Sequence, residues 1–386
     1  MGSGWPWLCA LVALVVLATT SCRPALADEG DGALQRARHP TPARVPSFGP
    51  AWAPEGMEPP PKPGGAFKRA FVRGVAVGLY TRTPGLDHKQ MFREIKALGA
   101  THVSLVTSWR QEHVRSVSIR PDPVETYSDD EVRAVIREAR AAGLKVMLFP
   151  ILHLHRRRSG EWRGKLEPAN RARWWASYEA FVLHYARLAA EEGVIVYSVG
   201  SELLSMEHER DRWVSLISRV REQYKGDLIY SSNWDHFHGV TFWDQLDLVG
   251  MTGYFELSKE PEPELAELRA TWQAALSVIA SYSVLTGRPL ILTEVGYPSQ
   301  VGSAAHPWDY TQAKAASPMT QYLAYRAMYE AWLAWAVERP PEEPEHLGVS
   351  GVFLWNWNGY GGPEDIHYAP RGKPATAIIR RWYTGR

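Results

Sequence analysis

Cysteine is almost missing from this chain: of its 386 residues, only Cys9 and Cys22 are cysteines. Both lie near the N-terminus, so the body of the protein can hold neither a disulfide nor a thiolate metal site and must gain its stability from packing. Net charge is equally scarce. The 43 basic side chains are balanced by 42 acidic ones, which gives no electrostatic reason to expect nucleic acid as a partner. An apolar run of transmembrane length is missing too, since Leu8 to Thr20 (LCALVALVVLATT) is too short to span a bilayer and runs at once into polar, Pro-rich sequence. It reads as the core of a signal peptide, although no Lys or Arg precedes it, and the expectation is export. Two processing routes fit. Thr19-Thr20-Ser21-Cys22 resembles a lipobox, which would lipidate Cys22 and attach the protein to a membrane, whereas Ala25-Leu26-Ala27 fits ordinary cleavage before Asp28. The lipobox is the preferred reading, giving a cell-envelope lipoprotein, with a secreted or periplasmic protein as the other outcome.

Periodicity is also lacking from residue 28 to about 65. This stretch is rich in Pro, Gly, Ala and Arg, and its PPPKP segment (59–63) is extended and stiff, as a tether would be. The domain reading is therefore 1–27 leader, 28–65 linker and 66–386 one folded domain. Within that domain, short β-rich runs alternate with amphipathic helical stretches. Strands are expected at 71–80, 102–107, 144–151, 194–199, 228–232, 248–252, 289–293 and 349–354. Helices are expected between them, for example 129–142 behind Ser128 as N-cap and stopping at Gly143. Strict β-then-α order through eight strands predicts an α/β (β/α)8 TIM barrel, with a doubly wound open sheet as runner-up. No Gly-rich phosphate loop follows the first strand, which counts against the nucleotide-binding form of that runner-up.

What the chain does have is aromatic and carboxylate chemistry at the predicted strand ends. Most of its 17 Trp and 17 Tyr belong to the core, and only those on strand-to-helix loops point to a ligand, since flat amphipathic rings stack on the apolar faces of sugars. In barrel order, the rim receives Trp109, then His153 and His155, Glu202, Asn233 and Trp234, Tyr254, Glu294 and Tyr297, and Trp355. Convergence of such side chains on one rim predicts a binding cleft. Two of the strands, VYSVGSE and LILTEVGY, run an apolar stretch straight into a glutamate (Glu202 and Glu294) and then break. A carboxylate there is where such barrels put their chemistry, and cleaving an acetal needs a pair of them, one protonated and one ionised. Glu202 is assigned as general acid/base and Glu294 as nucleophile. Tyr254 is placed to donate a hydrogen bond to Glu294, and His153 or His155 and Trp355 to flank the sugar.

The pairing of VGSELLS with ILTEVGYPS, together with VSLVTSW, IYSSNWD, FWDQLDLVGMTGYF, GVFLWNW and GKPA, resembles glycoside hydrolase family 113 over roughly Phe71 to Tyr383. The resemblance implies a retaining (β/α)8 enzyme acting on β-1,4-mannan, with Glu202 as acid/base and Glu294 as nucleophile. It also implies Trp109, Asn233, Trp234, Tyr254 and Trp355 as sugar contacts. Ser201 stands where many wider relatives carry Asn, so its contact to a sugar 2-hydroxyl would be shorter and different. The loops 153–167 and 301–317 are where substrate subsites could diverge, and the Arg156-Arg157-Arg158 run is a solvated loop or a holder for an acidic sugar. No cofactor or metal is expected. Three other readings stay open: a hydrolase of another β-glycan, a non-catalytic carbohydrate-binding barrel, and a metal hydrolase using His153-x-His155, whose histidines sit at the wrong strand for that class.

Overall fold

A computed structural model describes residues 57–61, 71–83, 85–312, 315–338 and 347–385. The leader, Cys22 and most of the linker lie outside these residues. Among the described residues nine strands are formed: β1 (Val72–Gly78), β2 (His102–Gln111), β3 (Ile119–Arg120), β4 (Lys145–Leu154), β5 (Val196–Ser201), β6 (Asp227–Ser232), β7 (Leu248–Thr252), β8 (Leu290–Val295) and β9 (Val349–Leu354). The helices between and after them are α1 (His88–Ala97), α2 (Asp129–Ala141), α3 (Arg171–Glu191), α4 (Arg210–Gln223), α5 (Leu265–Thr286), α6 (Pro318–Glu338) and α7 (Ala375–Thr384).

All barrel neighbours pair in parallel in the order β1-β9-β8-β7-β6-β5-β4-β2, and β1 pairs with β2 to close the ring. The short β3 folds back antiparallel on the end of β2, outside the ring. Eight parallel strands closed by surrounding helices make the expected (β/α)8 barrel. Local chemistry sets the helix ends. Ser128 accepts from the Glu131 amide while the Glu131 carboxylate accepts from the Ser128 amide, so α2 starts on a full capping box. It stops where Gly143 takes φ +75°, a left-handed conformation that costs glycine nothing.

The pleat divides the side chains into two cores. Ala76, Val106, Met147, Phe149, Ile151, Val196, Ile229, Ile291 and Phe353 face the barrel lumen. Their alternates, such as Val75, Leu105, Leu148, Tyr197 and Leu292, pack against the helices. Each large aliphatic side chain buried this way contributes about 1.5–3 kcal/mol relative to exposure. Residues 57–61 run along the outside, where the Glu58 carbonyl accepts from Arg326 (2.7 Å) on α6 and the Pro61 carbonyl accepts from Tyr329 (2.7 Å) and from Arg381 (3.1 Å) on α7.

Candidate active site

Glu202 is the first residue after β5, the fourth strand of the ring, and Glu294 is the last residue but one of the seventh, β8. Both are buried, at 1% and 2% exposure. Neither is aimed by simple alternation alone. Ile291 and Thr293 face the lumen, and Thr293 Oγ1 is 2.5 Å from Ser231 Oγ across it, so an unbroken β8 would turn Glu294 outward. A register shift intervenes: Met251 pairs with Leu292, but Thr252 pairs with Glu294, and the irregularity re-aims the carboxylate inward. Glu202 is positioned by a matching device. The β5–β6 register shifts between Ser198 and Ser201, and Glu202 takes φ +55°, the only positive φ at a non-glycine among the described residues. Such backbone is costly and persists where the surroundings over-determine it. Here the Glu202 amide donates to the Ser231 carbonyl at 2.8 Å, and the next amide, Leu203, donates to Tyr230 Oη at 2.9 Å.

Tyr254 follows β7, keeps its lumen-facing parity, and donates its hydroxyl to Glu294 Oε2 at 2.9 Å. Burial raises its pKa well above the ordinary phenol value, and the charges of Glu294, Tyr368 and Glu202 add to the effect. The phenol therefore stays a donor, and one hydroxyl senses both glutamates. Glu207, on the loop after Glu202, accepts from Tyr230 Oη at 2.7 Å. Burial pushes its carboxyl up to about 7, against the pull of that hydrogen bond. His236 is raised, first by its hydrogen bond to Asp235.

Most of the residues expected at the rim do gather there. His153 lies 5.5 Å from the Tyr80 ring, and Tyr80 in turn stacks on Trp355 at 6.1 Å and 8°. Asn356 Nδ2, across a cis peptide from Trp355, donates to Tyr80 Oη at 3.1 Å. Asn233 and Ser201 are buried, and among the described residues no protein group satisfies Asn233 Oδ1 or Ser201 Oγ. Trp234 is half-buried, with Trp308 nearly parallel to it at 6.2 Å. His155 is exposed, with Nδ1 3.5 Å from Arg110.

Two expected sugar contacts are not brought to the rim. Val106 faces the lumen, so Trp109, three residues on, has the opposite parity; its ring packs on Phe181 (5.4 Å) and His184 (5.2 Å) of α3. Tyr297 is fully buried in the helix layer, edge-on to Tyr325 of α6 at 5.5 Å. Pleat parity alone would have turned Trp109 outward.

Other residues were missed. Trp308, Tyr310 and Tyr368 join the lumen cluster at the rim, the first two from the 301–317 loop. Lys373, from the GKPA segment, is fully buried and donates to the His367 carbonyl at 3.0 Å, bracing the stretch that carries Tyr368. Most telling is Arg163, whose Nη2 donates to Glu202 Oε2 at 2.8 Å. The only sequence signal for it was its place in the 153–167 loop, between two apolar residues that anchor that loop, Trp162 and Leu166.

A closed parallel barrel whose fourth and seventh strands end in buried glutamates, under a rim of aromatic and amide side chains, defines a class: the (β/α)8 glycoside hydrolases. The comparison of families agrees. The chain matches the family model for Glycoside Hydrolase Family 113 over residues 80–365, most of its length, and it belongs to that family. Among solved structures it is similar to the Family 113 β-mannanase from Alicyclobacillus acidocaldarius in complex with ManMIm, at 30% identity and TM-score 0.70, covering 83% of this chain and 99% of that one. A Family 113 β-1,4-mannanase aligns at 25% identity and TM-score 0.69, over 82% and 100% of the two chains. A complex of a Family 113 β-1,4-mannanase shares the fold at 24% identity and TM-score 0.71. No curated protein matches the chain.

Proposed function

We propose that this glycoside hydrolase cleaves β-1,4-linked mannan or manno-oligosaccharides with retention of configuration, Glu294 acting as nucleophile and Glu202 as general acid/base. The observation that carries the reading is the 2.9 Å hydrogen bond from Tyr254 to Glu294. A buried donor on Glu294 favours its charged form, which is the form that attacks; the Arg163 guanidinium on Glu202 likewise favours the ionised carboxylate, which suits an acid that must give its proton up. In the first step Glu294 bonds to the anomeric carbon while Glu202 gives its proton to the departing glycosidic oxygen. In the second, Glu202 takes a proton from water, the water oxygen bonds to the same carbon, and Glu294 leaves. Both steps pass through a positively charged, oxocarbenium-like centre that the carboxylates face.

The rim supports a sugar as occupant. Asn233 Oδ1 and Ser201 Oγ are buried polar atoms in want of partners, as hydroxyl-binding groups would be before substrate arrives. Trp234 and Trp355 offer ring faces for stacking, and His153 adds an imidazole against Tyr80, the ring that stacks on Trp355. The mannan preference rests on the named activity of the similar Family 113 structures. The test is to assay the wild type and Glu294→Gln on β-mannan, glucan, xylan and galactan oligosaccharides. Turnover is expected on mannan and is lost in the variant while oligosaccharide still binds. Undiminished hydrolysis by Glu294→Gln removes the assignment, and wild-type activity confined to a different polymer removes the substrate.

A further inference from the structure

The loop between β4 and α3 brings one cation into the interior beside Glu202. Arg163 and Glu202 have side chains only 3% and 1% exposed, and they meet at 2.8 Å although 39 residues separate them in the chain. Desolvating a guanidinium is costly unless it is well paired, so a buried arginine at this position has a role tied to its partner.

The loop holds that arginine firmly. Residues 163–165 form one turn of 3-10 helix, flanked by Trp162 and Leu166 at 2% and 1% exposure. The Trp162 ring packs against Gly164, where a Cβ would sit 2.2 Å from a ring carbon, so only glycine lets the indole close on the turn. The Glu167 amide donates to the Val114 carbonyl at 2.9 Å, which ties the loop to the segment after β2. Ser205 Oγ donates to the Leu166 carbonyl at 2.8 Å, which ties it to the turn that follows Glu202. These contacts tie the loop that carries Arg163 to the segment that follows Glu202.

Resting on the two-glutamate reading above, we propose that Arg163 is a positioning residue for the acid/base, fixing the Glu202 carboxyl so that Oε2 accepts from the guanidinium and Oε1 carries the transferable proton. The chemistry follows from the acceptor strengths. In a protonated carboxyl the carbonyl oxygen is the better acceptor, so a guanidinium held on Oε2 selects Oε1 for the proton. The same contact favours the ionised carboxylate, so it assists delivery of the proton in the first step and holds the Glu202 anion in place as base in the second. Proton transfer depends on geometry first, so the loss should fall on the step that needs the proton.

The leaving group separates this from a merely structural role. Arg163→Gln, Arg163→Lys, Glu202→Gln and the double variant Arg163→Gln/Glu202→Gln are compared on a manno-oligosaccharide and on dinitrophenyl β-mannobioside, whose phenolate departs without protonation. Arg163→Gln is expected to lower kcat/KM on the oligosaccharide by about 10- to 100-fold and on the aryl glycoside by less than about threefold. The double variant should be no slower on the oligosaccharide than Glu202→Gln alone, because both substitutions remove the same proton transfer. If Glu202→Gln is selective for the oligosaccharide but Arg163→Gln slows both substrates equally, or neither, Arg163 has no such role. If Glu202→Gln itself slows both equally, the acid/base reading falls and takes this proposal with it. Should Gln at 163 prevent folding, Arg163→Lys is scored the same way: it keeps the charge but cannot hold the fork geometry, so a selective loss supports the proposal and an equal loss on both substrates overturns it.

Discussion

Removing one oxygen atom tests how Glu294 is held. Tyr254→Phe keeps the ring, its volume and its neighbour Tyr368 at 6.3 Å, and deletes only the hydroxyl that donates to Glu294 Oε2 at 2.9 Å. Both residues are buried, so water does not readily replace the lost donor. A hydrogen bond to a charged group contributes about 1.5–3 kcal/mol net. At about 1.36 kcal/mol per tenfold in rate, loss of that stabilisation from the ionised, oriented nucleophile lowers kcat/KM by roughly 10- to 150-fold. The direction with pH is also fixed. The donor favours the carboxylate, so without it the charged form is reached only at higher pH, and the acidic limb of the kcat/KM profile moves up. The assay is kcat/KM on a manno-oligosaccharide from acid to neutral pH, with a thermal melt to show that the fold is intact. A variant within about twofold of wild type at every pH, with the acidic limb in place, refutes the argument that this hydrogen bond prepares the nucleophile.

The other predictions concern groups away from that bond. Burial raises the Glu207 carboxyl to about 7 from an ordinary 4.5. Between those values the folded protein keeps a proton that the unfolded chain releases, so stability declines as pH rises from about 4.5 to about 7 and then levels. Glu207→Gln, neutral throughout, removes this contribution, so its melting temperature should gain on wild type across that window; parallel curves for the two proteins contradict it. Trp109→Ala and Trp234→Ala should separate stability from binding. The first removes packing against α3 and costs about 3–5 kcal/mol of stability, with kcat/KM of the folded fraction unchanged; the second raises KM with little change in melting temperature. A rise in KM from Trp109→Ala would return that ring to the sugar site.

The alternation of apolar strands and capped helices made the barrel legible from sequence, down to Ser128 and Gly143 at the two ends of α2. Strand ends were harder. β2 was expected to stop at Thr107 and β4 at Ile151, yet both run on, to Gln111 and Leu154, because they pair with each other in register along that whole length. Polar and aromatic residues in this extension look like loop when read alone, and the longer strand fixes their parity, which sends Trp109 outward. The two glutamates were found because each ends an apolar run. How they are aimed was not, since the register shifts at Thr252 and Ser201 arise from pairing between strands and the φ of +55° at Glu202 from the contacts around it. Arg163 was invisible for the same reason: its partner is distant in sequence, and an aperiodic loop gives no sign of which of its arginines turns inward.

The central claim is that the carboxyls of Glu202 and Glu294 work across one pocket, the second as nucleophile. In a retaining enzyme such a pair stands about 5–5.5 Å apart, and the nucleophile forms a covalent bond to the sugar. Inactivating the enzyme with a 2-deoxy-2-fluoro-β-mannosyl fluoride and mapping the label by peptide mass spectrometry tests this most directly. The account predicts a single fluoromannosyl adduct on the peptide containing Glu294. An adduct on any other residue, or full turnover with no adduct and an inverted first product, contradicts it.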